Sequence, residues 1–348
     1  MYDTADAVFA FHNNEVALPT TERKNMRTRR NNNRVRLEKG LSANSNPAPL
    51  GQHTQGSYAM HTMVQDNDTD YDIDDGVYFR KDKLVGPQGG EMSALAVRQM
   101  VCAALQDERF ATAPAVLKNC VRVFYNEGFH VDVPAYRRLE STDPWTGKTT
   151  YSYELASSEW KGSDPLEVTR WVKRRNKSHS PDLDTTDGQF RRVVRLVKAF
   201  ARSRSSWKSL TATGFMITKL ADECLVVSAG RDDIALRETM KAIRWRLEGN
   251  TSIQHPTLSG ETITHTDDAR PGHLKDRLIE NLKHLEVLDN SVCTHADAMA
   301  AWDKVFATKW FSQRPAPTEG GSFDKVAATP TRPVEKRDGG RYADRGAT

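Results

Sequence analysis

Three aspartates are the side chains best suited to chemistry in this chain of 348 residues. Asp72 and Asp74 flank Ile73, and residues two apart in an extended segment point to the same face of a sheet. Asp132 lies between two valines, a pattern typical of a buried strand, where a carboxylate is costly without a partner. Three carboxylates on one sheet suit hard divalent cations, above all Mg²⁺, with Mn²⁺ in its place.

A Gly-Ser pair follows Gln55 and precedes the aspartates. Gly56 lets backbone amides approach a ligand closely, and Ser57 adds a hydroxyl for the terminal phosphates of a triphosphate. Two metal ions about 3.5–4 Å apart support nucleotidyl transfer, because one lowers the pKa of the attacking hydroxyl and the other neutralises the leaving pyrophosphate. We therefore predict that Asp72 and Asp74 bridge two metal ions. Asp132 is expected to bind only the ion beside the attacking hydroxyl.

A calcium-binding loop is an alternative for the acidic run 66–75. Such a loop requires glycine at its sixth position and glutamate at its twelfth. Frames that begin at Asp70 or Asp72 have aspartate or valine at the sixth position and lysine at the twelfth, so both fail. A plain acidic turn is the favoured interpretation for Asp66, Asp68 and Asp70. The next two aspartates keep the metal interpretation, because bare carboxylates on one sheet face repel each other unless cations neutralise them.

Residues 187–204 predict an amphipathic helix with two stripes. The apolar stripe is Phe190, Val193, Val194 and Val197, and the cationic stripe is Arg191, Arg195, Lys198 and Arg202. A solvated basic face is one interpretation of the cations. A docked polyphosphate, which would relieve their mutual repulsion, is the other. On the second interpretation Lys198, which lies closest to the apolar stripe, is the predicted phosphate contact, and Arg195 belongs to the same nucleotide site.

The surrounding pattern predicts an α+β fold. Residues 58–79 are expected to form two strands around an acidic turn, followed by a helix over 91–106 and paired strands over 116–125 and 128–136, with Pro134 ending the regular pairing. This β-β-α-β-β order indicates a layered α+β sheet rather than a doubly wound one. Further helices are expected at 1–20, at 20–40 with a loop at Gly40, and at 164–176, 187–204, 209–221, 231–248, 271–288 and 294–311.

Composition limits the class of protein. Charged residues make up 28% and hydrophobic residues 38%, with a net charge of +4, which suits an anionic small molecule without demanding a nucleic-acid partner. The sequence contains no apolar run of membrane-spanning length and no secretory leader. Four widely spaced cysteines without a C-x-x-C pair argue against zinc and disulfides and favour a reducing cytoplasm.

With these motifs in order, residues 50–290 resemble the bacterial cGAS/DncV-like nucleotidyltransferases (CD-NTases), in particular the DncV-like subgroup. Five further segments carry the resemblance beside 55–57 and 72–76: His130–Pro134, Trp160, Ser163–Pro165, Arg195–Phe200 and Glu238–Lys241. Three features depart from the family pattern. The spacer before the first aspartate is slightly longer, Thr213 stands where a serine is expected, and Phe200 stands where tryptophan is common.

The resemblance implies a polymerase-β-like nucleotidyltransferase core, with a mixed β-sheet and helices, joined to a C-terminal helical lobe, with the active site in the cleft between them. The expected divisions are an N-terminal helical, basic segment over 1–40, a catalytic core over 41–160, a helical lobe over 161–312 and a disordered tail over 313–348. The metal triad would be the three aspartates already named. The implied nucleotide contacts are Gln55, Gly56, Ser57, Arg195, Lys198 and Thr213.

The resemblance also implies a function. The enzyme would join nucleoside triphosphates, ATP and GTP, into a cyclic di- or trinucleotide for anti-phage defence, acting on an effector only through its product. A ubiquitin-transfer-like partner would conjugate the end at Arg345–Thr348. Two alternatives stay open, a linear nucleotidyltransferase acting on RNA ends or a small acceptor, and an inactive nucleotide-binding regulator. Tyr58 is either a base-stacking residue or, with more weight, a core residue.

Overall fold

The computed structural model describes residues 1–65, 71–125 and 128–316. The helices over this part of the chain are α1 Ala5–Phe11, α2 Thr20–Ala43, α3 Gly56–Met60, α4 Ala94–Ala104, α5 Pro165–His179, α6 Gln189–Arg202, α7 Gly214–Cys224, α8 Asp232–Gly249, α9 Ala269–Leu282 and α10 His295–Phe306. The strands are β1 Gly51–Gln55, β2 Tyr71–Arg80, β3 Ala115–Val116, β4 Val121–Phe124, β5 Phe129–Val133, β6 Ala135–Thr142, β7 Thr149–Ala156 and β8 Trp160–Gly162.

The strands form one mixed sheet in which β2 is central. The order is β3-β4-β5-β2-β6-β7-β8, and β1 pairs with β2 in addition. β5 and β6 are separated by Pro134 and run parallel to successive parts of β2, whereas β1 runs antiparallel to it. The proline ends β5 as predicted, because its ring nitrogen cannot donate to the ladder. This parallel alignment brings the acidic part of β2 beside the strand that carries Asp132.

Two large hydrophobic cores pack around the site, with a smaller third cluster of α3, α5, α6 and α7 residues that includes Met60, Trp171 and Phe190. One lies between α2, α4 and the sheet, and it includes Met26, Val97 and the fully buried Ile73 of β2. The other is built from α1 and α6–α10, where Val193, Val197 and Phe200 of α6 are completely buried, as their helical spacing predicts. The α+β fold class is therefore confirmed, with α2 and α4 packed on the sheet and α1 and α6–α10 packed mainly on one another.

The predicted strand beginning at Tyr58 is wrong. The strand before the aspartates is β1, and residues 56–60 form the short helix α3. The change of direction occurs at Gly56, whose φ of +66° belongs to the left-handed region that glycine adopts without strain. Tyr58 is buried in the core and Arg23 lies over its ring, so the core role that carried more weight in the sequence is the one observed.

Two other boundaries also differ from the predictions. α2 does not end in a loop at Gly40 but continues to Ala43. A side chain at Gly40 would collide with the carbonyl oxygen of Ala104, so the glycine allows α2 to pack closely on α4. The sequence also predicted no strand over 137–162, where the structure has most of β6 and all of β7 and β8. The first half of β7 is exposed on both faces, so it lacks the alternation of apolar and polar residues that predicts a strand.

Residues Met1–Gln313 form one compact unit. The predicted acidic turn at 66–70 and the predicted tail from 317 onward, with the proposed conjugation site, lie outside the described residues, and the four-part domain division stays a prediction. Within the described residues every helix is too short or too polar to cross a bilayer. All four cysteines are free thiols.

Candidate active site

A cavity of about 390 Å³ opens between the sheet and the helical core. One wall comes from β1, α3 and β2, and the facing wall comes from α5, α6 and the start of α7. The polar lining residues are Gln55, Ser57, Thr62, Asp72, Asp74, Ser163, Asp164, Lys198, Arg202 and His255. Carboxylates and cations thus lie on facing sides of one cavity, as an anionic substrate bound with metal ions would require.

The three predicted aspartates are neighbours. Asp72 and Asp74 lie on the face of β2 that lines the cavity, while Ile73 between them faces the core. Asp132 is the register partner of Asp74 on the parallel strand β5, so the two residues are adjacent across the sheet. Asp75 points the other way and forms an ion pair with Arg34 at 2.5 Å, which excludes it from the cluster.

The carboxylates influence one another electrostatically. Burial, together with the negative charges of Asp132 and Asp72, raises the pKa of Asp74 to about 7. Arg122 of β4 partly offsets this charge. Its Nε and Nη2 each donate to Asp132 at 2.8 Å, and Nη2 lies 3.3 Å from Asp72 Oδ1. The three aspartates therefore concentrate negative charge, which the guanidinium of Arg122 partly neutralises.

The donor set fits a divalent metal ion. All three side chains offer hard carboxylate oxygens, and a cation would relieve the repulsion that Asp132 and Asp72 exert on Asp74 beside the effect of burial. Over the described residues, however, no three or more His, Cys, Asp or Glu side chains form a ready-made metal cage. The arrangement in hand has both oxygens of Asp132 bonded to Arg122, so a metal ion would have to share or replace that contact.

Gly56 lies against Asp74 without room for a side chain. A Cβ atom at this position would lie 1.9 Å from Asp74 Oδ2. Ser57 follows on α3 and lines the cavity. Gln55 is buried and donates to the hydroxyl of Tyr136 at 2.8 Å, which fixes the end of β1 below the turn. The structure therefore brings the predicted Gln-Gly-Ser turn directly beside the carboxylates.

Lys198 forms the opposite wall. Its Nζ donates to the carbonyl oxygen and to the hydroxyl of Thr62, both at 3.0 Å, and the side chain is buried. Burial, together with the nearby charges of Arg202 and Arg195, lowers the pKa of Lys198 to about 7. A phosphate group bound here would favour the charged form and reverse that shift.

This geometry predicts how nucleotide affinity depends on pH. As pH rises from about 6 to about 8.5, Lys198 loses its proton in the free protein, so ATP binding in EDTA should weaken about tenfold. Lys198→Met should bind ATP weakly at both pH values and lose most of this pH dependence. Calorimetry can measure both affinities. Asp74 titrates in the same range, so the difference between wild type and variant is the quantity to compare.

The matched control is Lys219→Met. Lys219 pairs with Glu223 on α7 and lies outside the cavity lining, so this variant should keep the wild-type pH dependence. If ATP affinity depends on pH equally in wild type and in Lys198→Met, Lys198 does not bind the phosphates.

Two predicted nucleotide contacts lie apart from the others. Arg195 donates to His12 Nε2, to the carbonyl oxygen of His61 and to Asp187, and it is absent from the cavity lining. Thr213 accepts a hydrogen bond from the backbone of Met216 and so caps α7. Both residues support the site from outside, Arg195 by joining α6 to the segment after α3.

Arg195→Met should therefore destabilise the fold. Asp187 is 37% exposed, but Arg195 is buried, and its loss would leave the carbonyl of His61 without its donor. Loss of such a hydrogen-bond partner costs about 1–3 kcal/mol, so the free energy of unfolding should fall clearly in urea titrations. The ATP affinity of the folded protein should change little. A large loss of affinity with unchanged stability would instead support the direct nucleotide contact predicted from the sequence.

Sequence reasoning missed the apolar end of the cavity. Phe215 and His255 meet there edge to face, with ring centroids 5.4 Å apart. His255 Nδ1 accepts hydrogen bonds from the backbone N–H groups of Thr257 and Leu258, so the proton of the neutral ring is on Nε2. No sequence signal identifies this pair, because the two residues are distant in the chain and meet only through packing.

Comparison with known proteins agrees with this geometry. Residues 52–136 match the sequence model of the family described as cyclic GMP-AMP synthase DncV-like, nucleotidyltransferase domain. This segment runs from the Gln-Gly-Ser turn through all three aspartates. The motifs at 55–57, 72–76 and 130–134 are thus in the part of the chain that the family model matches, whereas the four motifs from Trp160 onward lie beyond it.

Solved structures extend the likeness to the whole fold. The Bradyrhizobium diazoefficiens CD-NTase CdnG in complex with GTP is 14% identical, with a TM-score of 0.67 over 89% of this chain and 97% of that one. Escherichia coli MS115-1 CdnC with ATP is 18% identical, with a TM-score of 0.63 over 88% and 98%. The Vibrio cholerae cyclic AMP-GMP synthase DncV is 15% identical, with a TM-score of 0.64 over 85% and 92%.

At such low identity the solved structures establish the fold, and the family model establishes the domain. The resemblance seen in the sequence is confirmed at both levels. Residues 52–136 are a DncV-like nucleotidyltransferase domain, and the chain that contains them has the fold of the bacterial CD-NTases.

Proposed function

We propose that this enzyme joins nucleoside triphosphates, ATP and GTP, into a cyclic di- or trinucleotide and releases pyrophosphate. The observation that carries the proposal is the opposition of charges across one cavity. Asp72 and Asp74 of β2 line one side, with Asp132 of β5 beside Asp74 but outside the lining, and Lys198 and Arg202 of α6 line the other. Matched structures contain GTP in CdnG and ATP in CdnC, and DncV is named a cyclic AMP-GMP synthase, which supports the same substrate class.

Asp72, Asp74 and Asp132 are the residues that would hold two Mg²⁺ ions. When bound, such ions make the attacking hydroxyl more acidic and neutralise charge on the leaving pyrophosphate. The protein residues would supply orientation. Gly56 and Ser57 would hold the triphosphate close to Asp74, and Lys198 would bind its outer phosphates.

In each transfer step, a ribose hydroxyl oxygen of one nucleotide forms a bond to the α-phosphorus of the second. The bond from that phosphorus to the oxygen bridging to the β-phosphate breaks, and pyrophosphate leaves with the electron pair. The hydroxyl proton passes toward the carboxylate of Asp132 and then to solvent. A second transfer within the linear product closes the ring, with the two sugars in exchanged positions.

We further propose that the cyclic product acts as a signal in anti-phage defence, as the CD-NTase resemblance implies. The effector would recognise only the product, so no stable complex between effector and enzyme is required. Conjugation of the C-terminal end to a partner protein remains part of the same proposal.

The direct test is product analysis. Purified protein is incubated with Mg²⁺ and all four ribonucleoside triphosphates, singly and mixed, and the products are treated with phosphatase and analysed by mass spectrometry. A phosphatase-resistant cyclic product with release of pyrophosphate is expected. Linear or acceptor-linked products would favour a linear nucleotidyltransferase, and no pyrophosphate release in any mixture would favour a nucleotide-binding regulator.

A further inference from the structure

Arg122 lies beside the proposed metal ligands but has no role in the transfer step. It lies on β4 directly opposite Asp132 of β5, as an antiparallel register partner. The two side chains form a two-pronged contact, with both N–O distances at 2.8 Å, and the same guanidinium lies 3.3 Å from Asp72. A single cation therefore joins two of the three carboxylates that would hold metal ions.

This contact is set by the backbone rather than by a flexible side chain reaching across the surface. Cross-strand partners on an antiparallel pair have their Cβ atoms about 5 Å apart, so Arg122 and Asp132 cannot separate far while the sheet is intact. The Asp132 side chain is 12% exposed, and that of Arg122 is 25% exposed. The planar guanidinium fork also matches the carboxylate geometry in a way that lysine cannot.

Other arginines on the sheet pair with carboxylates away from the cavity. Arg137 of β6 contacts Glu154 at 2.5 Å and Glu91 at 3.1 Å. Its register partner on β2 is Phe79, five residues beyond Asp74, or about 17 Å along the strand. Arg122 thus differs from Arg137 by location and not by chemical type, and this difference gives a matched control.

We propose that Arg122 is a positioning residue that keeps the empty site from binding divalent cations on its own. Its guanidinium holds Asp132 and attracts Asp72 while no metal ion is present. A metal ion must then compete with a positive charge that the β-sheet fixes in place. The negative charge of a bound triphosphate offsets this competition, so metal loading becomes dependent on the nucleotide. This inference rests on the proposed function, because it assumes that the three aspartates are the metal ligands.

The test measures Mn²⁺ binding by electron paramagnetic resonance, with and without a non-hydrolysable ATP analogue. The proteins are wild type, Arg122→Gln, Arg122→Lys and the control Arg137→Gln, which has the same net charge as Arg122→Gln. Without nucleotide, Arg122→Gln should bind Mn²⁺ about tenfold more tightly than wild type, because a fixed unit charge a few ångströms away opposes a divalent ion even at the moderate effective dielectric of a protein. Arg122→Lys should be intermediate, and Arg137→Gln should match wild type.

A second expected result concerns coupling. The gain in Mn²⁺ affinity caused by the nucleotide analogue should be clearly smaller in Arg122→Gln than in wild type. A melting curve in EDTA checks folding. Arg122→Gln should melt below wild type, because a largely buried carboxylate loses its partner, and Mn²⁺ should raise its melting temperature more than that of wild type. A purely structural role would lower stability without tightening metal binding.

Mn²⁺ affinity that is unchanged or weaker in folded Arg122→Gln overturns the inference. If that variant does not fold, the same outcome in Arg122→Lys overturns it. In either case, nucleotide-dependent Mn²⁺ binding by wild type would leave the proposed function intact. Absence of Mn²⁺ binding in wild type and in both Arg122 variants, with and without nucleotide, would instead show that the three aspartates are not metal ligands. The proposed metal site and the inference would then both be wrong.

Discussion

Asp74→Asn should abolish nucleotidyl transfer while leaving the protein folded and more stable at high pH. The amide has nearly the same shape as the carboxylate but lacks the charge that a divalent cation requires. Asp74 is also adjacent to both other aspartates, so no neighbouring oxygen can take its place without moving the strand. We expect pyrophosphate release to fall by about a thousandfold or more, since removal of a charge-stabilising group at a transferred phosphate has effects of this order.

The stability change follows from the raised pKa of Asp74, which lies at about 7 in the folded protein against an ordinary value of 3.8. Between these two values the folded state keeps a proton that the unfolded state has lost, so wild-type stability falls as pH rises from about 4 to about 7 and stays lowered above that range. Asn does not titrate. Asp74→Asn should therefore match wild type near pH 4 and unfold at higher denaturant concentration near pH 8 in EDTA.

The adjacent residue provides the control. Asp75→Asn makes the same chemical change, but its side chain faces away from the cavity and pairs with Arg34. This variant should lose stability and keep most of its activity. An active Asp74→Asn enzyme would exclude Asp74 from the metal site, even if the stability change occurred as expected.

Gly56→Ala should cost at least about a hundredfold in activity, the order of loss that a small misplacement of reacting groups causes. The new methyl group would lie 1.9 Å from Asp74 Oδ2, far inside contact distance, so either the carboxylate or the turn before α3 must move. Both movements separate the triphosphate turn from the metal ligands. Initial rates of pyrophosphate release, together with melting curves, provide the measurement.

Gly147→Ala is the control that separates the effect of backbone strain from the effect of the contact with Asp74. Gly147 has the same φ of +66°, but a Cβ atom there would meet nothing within 4 Å. Both variants should lose a similar amount of stability from the left-handed backbone, roughly 1 kcal/mol. Only Gly56→Ala should lose activity in addition. Similar activity in the two variants would show that the close approach of Gly56 to Asp74 is unimportant.

The acidic strand and the amphipathic helix could be predicted because their patterns are local. Asp72 and Asp74 alternate with a core residue along one strand, and Lys198 follows from helical periodicity along α6. The proximity of Asp132 to Asp74 was inferred from the chemistry, and the parallel register of β2 and β5 agrees with it. These predictions needed only the period of a strand or a helix and the ligand preference of a cation.

The remaining features depend on contacts that sequence spacing does not encode. The role of Arg122 arises from its cross-strand register with Asp132, and one residue of slippage would turn it to the other face. Arg195 falls on the predicted cationic stripe, but its contacts with His12 and Asp187 come from the packing of the turn after α1 and of the loop before α6. A charge pattern can therefore locate a basic helix face without identifying which cations face the substrate.

The carbonyl groups of His61 and Thr62 accept hydrogen bonds from Arg195 and Lys198, which ties α6 to the segment that follows α3. A movement of α6 away from α3 would have to break both hydrogen bonds. The spacing between the cavity wall that carries Ser57 and the wall that carries Lys198 is therefore held by contacts within the protein.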